Sequence, residues 1–304
     1  METIVHIFPY AIAFAMPLLV TSLGGLYSER SGVVNIGLEG LMVVGGFASA
    51  AFTVYLTPSL GPWAIWLSLG VAMVFGALFS VLHAFASISL NANQVISGTA
   101  INMIAGAVTV FLARTITGSG NIQLTQGIPR FDVPGLVEVP VIGRLFFYQT
   151  YGTTWLILII LVLAAFLLYK TAFGLRLRAC GENPHAADAA GINVYRVRYG
   201  AVMISGALAG LGGATILVAG MGFLALAALI FGQWKPTGVL GATFFFGFAA
   251  TLANASQAEP ALKAIPEVVL KVFPYVLTLL ALVFFSKSTQ APRAAGEPFE
   301  KGKR

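Results

Sequence analysis

The chain has 304 residues, of which 58% are hydrophobic and only 9% are charged. Soluble domains carry roughly 25% charged residues, so this composition excludes a single water-soluble core and predicts an integral membrane protein. The net charge of +6 comes from basic residues in the segments that flank the apolar runs, so it does not indicate nucleic-acid binding.

Eight apolar runs approach or exceed the roughly 20 residues that a helix needs to cross the bilayer core. They lie at residues 8–26, 33–56, 62–89, 94–115, 151–172, 199–219, 236–256 and 266–286. A ninth run, at 222–232, is too short to cross as a straight helix and indicates a short or broken segment. The sequence therefore predicts that residues 1–286 form an all-α polytopic bundle of about eight to ten transmembrane helices.

The positions of lysine and arginine predict the orientation of this bundle, because cytoplasmic loops carry an excess of both. Two regions are basic, the loop at 173–198 and the tail at 287–304, so we expect both to be cytoplasmic. We also expect the tail to be disordered. The connection at 116–150 balances its arginines with acidic residues and is expected outside. An even number of crossings must separate the two basic regions, so run 222–232 counts as a crossing and the N-terminus is expected outside.

The second apolar run contains two polar residues that are candidates for a solute pathway. Asn35 and Glu39 are four residues apart and therefore share one helix face. A carboxylate at membrane depth is costly unless it is paired, hydrated or protonated. Glu39 could face a polar pathway or the end of a neighbouring helix, or it could lie near the cytoplasmic interface and pair with Arg30.

The start of the fourth run contains a second group of neutral polar residues at helical spacing. The group consists of Asn91, Asn93, Gln94, Ser97, Thr99 and Asn102. Amides and hydroxyls can hydrogen-bond a sugar- or nucleoside-like solute without requiring a matching charge. The alternative is hydrogen bonding between helices, at about 0.6 kcal/mol for each bond, and the sequence leaves both interpretations open.

The stretch GENPHAADAAGINVYR, residues 181–196, is polar and contains the signals of a very short helix. Asn183 can accept hydrogen bonds from the first free N–H groups, Pro184 suits the first helical position, and Gly191 suits a left-handed stop. These signals predict about seven helical residues, roughly 10 Å in length. A helix of this length is not stable alone in water, so we expect it to dock against something else.

Motifs for soluble enzyme chemistry are absent from the sequence. It has no G-x-x-x-x-G-K-[ST] phosphate-binding loop, no G-x-S-x-G elbow and no cluster of metal-ligating residues. We therefore expect neither an enzyme, nor a metal site, nor a bound cofactor. ATP-driven transport would require an ATPase supplied by a separate protein.

Four stretches resemble the permease subunits of nucleoside-type ABC importers, within the branched-chain amino acid and ribose permease group of bacteria. They are SGVVNIGLEGLMVVGG (31–46), NQVISGTAIN (93–102), GLRLRACGENPHAADAAGINVYRVR (174–198) and GFLALAALIFGQWKPTGVLGA (222–242). The similarity extends over about residues 10–286, and NIGLEG and GENPHAADAAGINV are its most specific elements.

The resemblance implies a multi-pass subunit of the bacterial cytoplasmic (inner) membrane that translocates nucleosides and does not itself hydrolyse ATP. The implied partners are a cytosolic ABC ATPase that holds ATP and Mg, a second homologous permease in a heterodimer, an extracytoplasmic solute-binding protein and membrane lipid. The segment 181–191 matches the coupling helix that sits in a cleft of the ATPase. The residues implied in coupling are Gly181, Glu182, Asn183, Pro184, Ala187 and Gly191.

Two alternative functions remain open from the sequence. A ribose or other simple-sugar ABC permease would suit the same neutral polar side chains. An ATP-independent secondary transporter would need an ion site inside the membrane, for which Glu39 is the acidic candidate.

Overall fold

The computed structural model describes residues 2–124, 127–215, 220–255 and 290–302, together with positions 268, 269, 272, 273 and 276. Within these ranges the chain is mainly helical, with one pair of two-residue strands. Six of the described helices are long and apolar enough to cross a membrane, which confirms the predicted all-α polytopic class. The apolar run at 266–286 lies largely outside the described residues.

The helices follow the predicted apolar runs closely. In chain order they are α1 (Glu2–Arg30), α2 (Leu38–Leu60), α3 (Trp63–Ala84), α4 (Gln94–Thr117), α5 (Ile142–Phe146), α6 (Gly152–Lys170), α7 (Ala172–Glu182), α8 (Pro184–Ala189), α9 (Val194–Thr215), α10 (Met221–Phe231) and α11 (Pro236–Ala255). A π-helical turn, Phe85–Ser89, extends α3. Strands β1 (Arg130–Phe131) and β2 (Thr150–Tyr151) pair antiparallel within the connection between α4 and α6.

Helix α9 is central because it packs against α1, α2 and α3 at once. Glycines allow the closest of these contacts: a Cβ added to Gly210 would clash with the carbonyl oxygen of Ala72, and one added to Gly206 would clash with that of Gly76. Lipid tails are as apolar as leucine, so helices in a membrane associate through such close packing rather than through the hydrophobic effect. The α3–α9 contact therefore depends on small residues on both helices.

Contacts at the helix ends show which segments share a face of the bundle. Arg30, at the end of α1, lies 4.0 Å from the carboxylate of Glu182, and the backbone N–H of Ala294 donates to the carbonyl of Gly181 at 2.9 Å. At the other end of α1, the guanidinium of Arg130 lies 4.6 Å from the ring centre of Tyr10. The 173–198 segment and the tail thus share one face, and the α4–α6 connection lies at the opposite face with the N-terminus.

The tail differs from the disordered segment that its composition led us to expect. Residues 290–302 pack against the 173–198 segment, and Ala294 and Phe299 are each only 3% exposed. The physical reason is that one buried aromatic ring and a few backbone hydrogen bonds hold this segment in place. A count of charged residues does not reveal either contribution.

The short run predicted at 222–232 forms α10. Its 11 residues extend about 16 Å at 1.5 Å per residue, roughly half of the ~30 Å hydrocarbon core. The start of α10 lies at Glu39 of α2, and Trp234, just beyond its end, accepts hydrogen bonds from Arg30 through its carbonyl. Helix α10 therefore forms about half of a crossing, on the side of the bundle that carries Arg30 and the 173–198 segment. Residues 216–219 lie outside the described ranges.

Candidate functional site

A non-helical segment, residues 31–37, joins α1 to α2 inside the bundle. Backbone of this kind is tolerated at membrane depth only where protein or water satisfies its N–H and C=O groups. The N–H of Val34 donates to the side-chain oxygen of Gln94 at 2.6 Å, and the carbonyl of Val34 lies 3.1 Å from Nε2 of His83. Side chains from α3 and α4 thus replace the missing helical hydrogen bonds of Val34.

Two asparagines complete the hydrogen bonding of this segment. Asn35 is fully buried, accepts from the N–H of Gly37 at 3.1 Å and donates to the hydroxyl of Ser205 in α9 at 2.9 Å. Asn102 donates to the carbonyl of Ile36 at 3.0 Å and accepts from the N–H of Gly40 at 2.7 Å. Asn35, Gln94 and Asn102, selected as pathway candidates, therefore all bond to one broken stretch of backbone.

The other pathway candidates of the fourth run occupy different positions. The hydroxyl of Ser97 lies 2.9 Å from Nδ1 of His83 and so supports the same cluster indirectly. Asn93 is exposed and caps α4, because its side chain accepts from the N–H groups of the first turn at 2.9 and 3.2 Å. Thr99 is exposed and bonds back to the carbonyl of Val95, while Asn91 is exposed with a φ of 51°. Solute contact by any of these residues stays a prediction.

Glu39 caps a neighbouring helix. Its two carboxylate oxygens accept from the N–H groups of Gly220 and Gly222 at 2.7 and 2.6 Å, at the N-terminus of α10. The unpaired N–H groups and the dipole of a helix N-terminus favour a carboxylate there. Gly220 has no side chain to cap α10, so the cap comes from Glu39 of another helix, α2. Of the interpretations considered, the neighbouring helix end matches this geometry, whereas Arg30 is bonded elsewhere, to the Trp234 carbonyl.

Two buried charged residues, at the end of the bundle that carries the 173–198 segment, were missed by the sequence analysis. Glu29 is 6% exposed, and its carboxylate accepts a hydrogen bond from the indole N–H of Trp234. Arg198 is 1% exposed and donates through Nε to the carbonyl of Ser31 at 3.1 Å. Both residues flank apolar runs in the sequence and so resembled interfacial charges. Only the three-dimensional contacts show that they are buried.

The short helix predicted after residue 181 is confirmed. Helix α8 has six residues and begins with Pro184, and the side chain of Asn183 accepts from the N–H of Ala186 at 3.0 Å. Gly191 has a φ of 81°, and the next N–H, that of Ile192, donates to the carbonyl of Ala187 at 3.0 Å. This is the left-handed stop that the glycine indicated.

The two sides of α8 differ in exposure. Pro184 and Ala187 are buried against the bundle, and a Cβ added to the preceding Gly181 would clash with the backbone of Arg30. The outward side presents Glu182, Asn183, His185, Ala186, Ala189, Ala190 and Gly191. Half of the residues predicted to act in coupling therefore face the bundle and hold the helix in place. The outward alanines were missed because a six-residue helix has too few residues for its sequence pattern to show which face is buried.

Helix α7, which precedes α8, was expected only as part of a loop. Thr171 caps it by accepting from the N–H of Gly174 at 3.2 Å. The helix carries the fully buried Cys180, and this burial raises the pKa of its thiol. Helices α7 and α8 pack against each other; α7 also contacts α1 and α9, and α8 contacts α9.

A cavity of about 370 Å³ lies at the opposite end of the bundle, enclosed by α1, α2, α3, α6, α9 and the α4–α6 connection. Its lining is neutral and includes the hydroxyl residues Ser49, Thr53, Ser68, Tyr151, Thr153, Thr154 and Thr215. Thr153 and Thr154, in the first turn of α6, are 6% and 5% exposed, and their hydroxyls have no hydrogen-bond partner in the described part of the chain. The volume lies within the roughly 300–1,000 Å³ range of small-molecule sites.

The outer faces of the bundle are apolar. In α1, 78% of the membrane-length stretch is buried within the chain, against 22% in α4. Large side chains such as Phe75 of α3 and Met103 and Phe111 of α4 are exposed. These faces are suited to lipid or to another membrane subunit.

Comparison with known proteins gives consistent matches over nearly the whole chain. Residues 7–282 match the family described as branched-chain amino acid transport system / permease component. The guanosine ABC transporter permease protein NupQ of Bacillus subtilis (strain 168) is 48% identical over 310 residues, which cover 98% of this chain and 97% of that protein.

Two further relatives match at similar coverage. The nucleoside ABC transporter permease protein NupC of Lactococcus lactis subsp. cremoris (strain MG1363) is 42% identical over 303 residues, covering 96% of each chain. The putative glucose ABC transporter permease protein TsgC13 of Haloferax volcanii is 34% identical over 317 residues, covering 92% of each.

Proposed function

Because the chain belongs to the family of branched-chain amino acid transport system permease components, we propose that it is the nucleoside-translocating subunit of an ABC importer in the bacterial cytoplasmic membrane. The observation that carries the proposal is near-full-length identity of 48% to a guanosine permease and 42% to a nucleoside permease. The neutral, hydroxyl-bearing cavity supports the same class of solute, since an uncharged solute needs no counter-charge.

Helix α8 is the proposed contact with a separate ABC ATPase, which binds ATP and Mg. Its inward side is held by Pro184, Ala187 and the close approach of Gly181 to Arg30, so a displacement of α8 would be passed directly to α1. Its outward side presents alanines, whose small side chains allow the ATPase surface to approach the helix backbone. Closure of the ATPase halves would then move α8 and tilt the bundle between its two access states.

The cavity at the extracytoplasmic end is the proposed first site for the solute after it leaves a solute-binding protein. The free hydroxyls of Thr153 and Thr154 can donate to and accept from the hydroxyl groups of a ribose ring. A weak site suffices here, because transport requires only that the site bind solute differently in the two states. The exposed apolar faces of α3 and α4 support pairing with a second, homologous permease.

A simple-sugar ABC permease is the second candidate function. It is favoured by the relative named as a putative glucose permease, at 34% identity, and by the same uncharged cavity. Uptake assays distinguish the two, with the complete transporter in proteoliposomes containing the permease pair, the ATPase and the solute-binding protein. We expect ATP-dependent uptake of labelled guanosine that excess ribose or glucose does not inhibit, and the reverse pattern would refute the nucleoside assignment.

Docking of the ATPase on α8 is tested by crosslinking at two adjacent positions. Ala186 lies on the outward side of α8, so Ala186→Cys places a thiol where the ATPase should contact the helix. Ala187 is only 4% exposed, so Ala187→Cys serves as the matched control. A short bifunctional reagent should join the ATPase to the first variant and not to the second. Failure to capture the ATPase from position 186 in an active complex would contradict the docking assignment.

A further inference from the structure

The C-terminal segment 290–302 contacts α7, α8, α9 and the 31–37 segment, and we refer to it as the tail strap. Its backbone pairs with two of them: the N–H of Ala294 donates to the carbonyl of Gly181 at 2.9 Å, and the N–H of Gly296 donates to the carbonyl of Gly32 at 3.1 Å. The first bond reaches the end of α7, and the second reaches the broken segment between α1 and α2. The tail strap thus bridges two elements that lie far apart in the sequence.

Phe299 is the hydrophobic contact of the tail strap. Its ring is 3% exposed and lies between His185 of α8 and Tyr195 of α9, with ring centres 5.2 and 5.5 Å away. The hydroxyl of Tyr195 donates to the Phe299 carbonyl at 3.2 Å. Next to it, Nζ of Lys301 lies 4.0 Å from a carboxylate oxygen of Asp188 in α8. The strap therefore contacts α8 through a ring and a charge.

Arg198 connects the strap to the interior of the bundle. This arginine is 1% exposed, and it donates through Nε to the carbonyl of Ser31 and through a terminal nitrogen to the carbonyl of Glu297, both at 3.1 Å. A buried guanidinium is costly unless its N–H groups are bonded. The other terminal nitrogen is buried without a partner in the described part of the chain. Loss of the strap would leave a second N–H group of this arginine unpaired, so the bond to Glu297 stabilises both Arg198 and the strap.

We propose that the tail strap is a positioning element that holds α8 at a fixed place on the bundle, with Phe299 as its central residue. The inference rests on the proposed function of α8 as the ATPase contact. A helix of six residues is not stable alone, and only a firmly held helix passes on a displacement rather than moving by itself. The strap contacts His185 and Asp188 on one flank of α8, where His185 stays exposed, and it leaves Ala186, Ala189 and Ala190 outward.

The first measurement is hydrogen exchange at Ala294 and Gly296 in the assembled transporter, because their N–H groups make the strap's backbone bonds. Phe299→Ala should accelerate their exchange by roughly 10- to 100-fold, the shift expected when a buried phenylalanine ring is returned to water. Pro298→Ala, at an exposed neighbouring position, is the matched control and should leave exchange unchanged.

The second measurement is the amount of nucleoside imported per ATP hydrolysed. We expect Phe299→Ala to lower this ratio several-fold while ATP hydrolysis continues, Phe299→Leu to restore most of it, and Pro298→Ala to leave it unaltered. Tyr195→Phe removes only the hydroxyl bond to the strap and provides a milder variant should Phe299→Ala fail to assemble. Tyr195→Phe should also accelerate exchange at Ala294 and Gly296 and lower the import per ATP, but by less than Phe299→Ala.

The outcomes separate this inference from the docking proposal. If the strap is freed but import per ATP stays normal, while position 186 still crosslinks to the ATPase, the positioning role is overturned and the docking assignment stands. If Phe299→Ala leaves exchange at Ala294 unchanged, Phe299 does not hold the strap and the inference is likewise overturned. Loss of the crosslink from position 186 in the otherwise unaltered chain would instead reject the docking assignment.

Discussion

The cap that Glu39 provides for α10 gives the most direct test of how the bundle is held together. In Glu39→Gln, the remaining carbonyl oxygen can accept from only one of the two N–H groups, those of Gly220 and Gly222. The amide NH₂ group is itself a donor, so it cannot accept from the other N–H. A hydrogen bond to a charged group contributes about 1.5–3 kcal/mol. The bond to Gly220 is exposed and the bond to Gly222 is partly buried, at 2.7 and 2.6 Å. Loss of one of them should therefore lower the free energy of unfolding by about 1.5–3 kcal/mol.

The assay is reversible unfolding of the purified permease in mixed detergent micelles, followed by circular dichroism. Glu182→Gln is the matched control, because Glu182 is an exposed carboxylate that makes one long ion pair, 4.0 Å, with Arg30. Exposed pairs contribute about 0–1 kcal/mol, so this variant should be nearly as stable as the parent. Equal stability of Glu39→Gln and the parent would refute the capping role and would return Glu39 to the ion-site interpretation.

Three further variants or reagents test other parts of the structure. Gly191→Val forces a β-branched residue to a φ of 81° at a cost of roughly 1–3 kcal/mol, so nucleoside uptake should fall sharply. The control Gly135→Val, at a similar φ of 77° in the α4–α6 connection, should retain uptake. Cys180 should resist maleimide at neutral pH in the native permease, because burial raises its thiol pKa, and should react fully after denaturation; rapid native labelling would contradict its burial. Thr153→Ala combined with Thr154→Ala should lower guanosine uptake without changing the affinity of the solute-binding protein, and unaltered uptake would remove the cavity from the solute path.

The sequence predicted the helical class and the positions of the described spans because long apolar runs are a local property that needs no tertiary information. The same holds for α8: the cap at Asn183, the proline beside it and the stop at Gly191 all act within about ten residues of one another. These parts of the molecule are determined by neighbours in the chain.

The roles of polar residues within the membrane could not be predicted in the same way. Glu39 bonds to Gly220 and Gly222, which lie 181 and 183 positions further along the chain. Asn35 bonds to Ser205, which lies 170 positions further along. An amide that holds a broken backbone and an amide that contacts a solute have the same composition and spacing in the sequence. The broken segment at 31–37 is what distinguishes them, and it was hidden within an apolar run that was expected to be one continuous helix.

The tail illustrates a related limit of composition. Its charges predicted disorder, yet Phe299 and Ala294 are buried, and backbone hydrogen bonds join the tail to α7 and to the 31–37 segment. The cavity residues Thr153 and Thr154 were missed because single hydroxyls occur in many membrane helices. Only their convergence from several helices marks a site.

The carboxylate of Glu39 has a consequence for how this bundle can move. Because its two oxygens bond both leading amides of α10 from the first turn of α2, any movement that separated these two helix ends would have to break both bonds at once. The start of α10 and the start of α2 are therefore expected to move together.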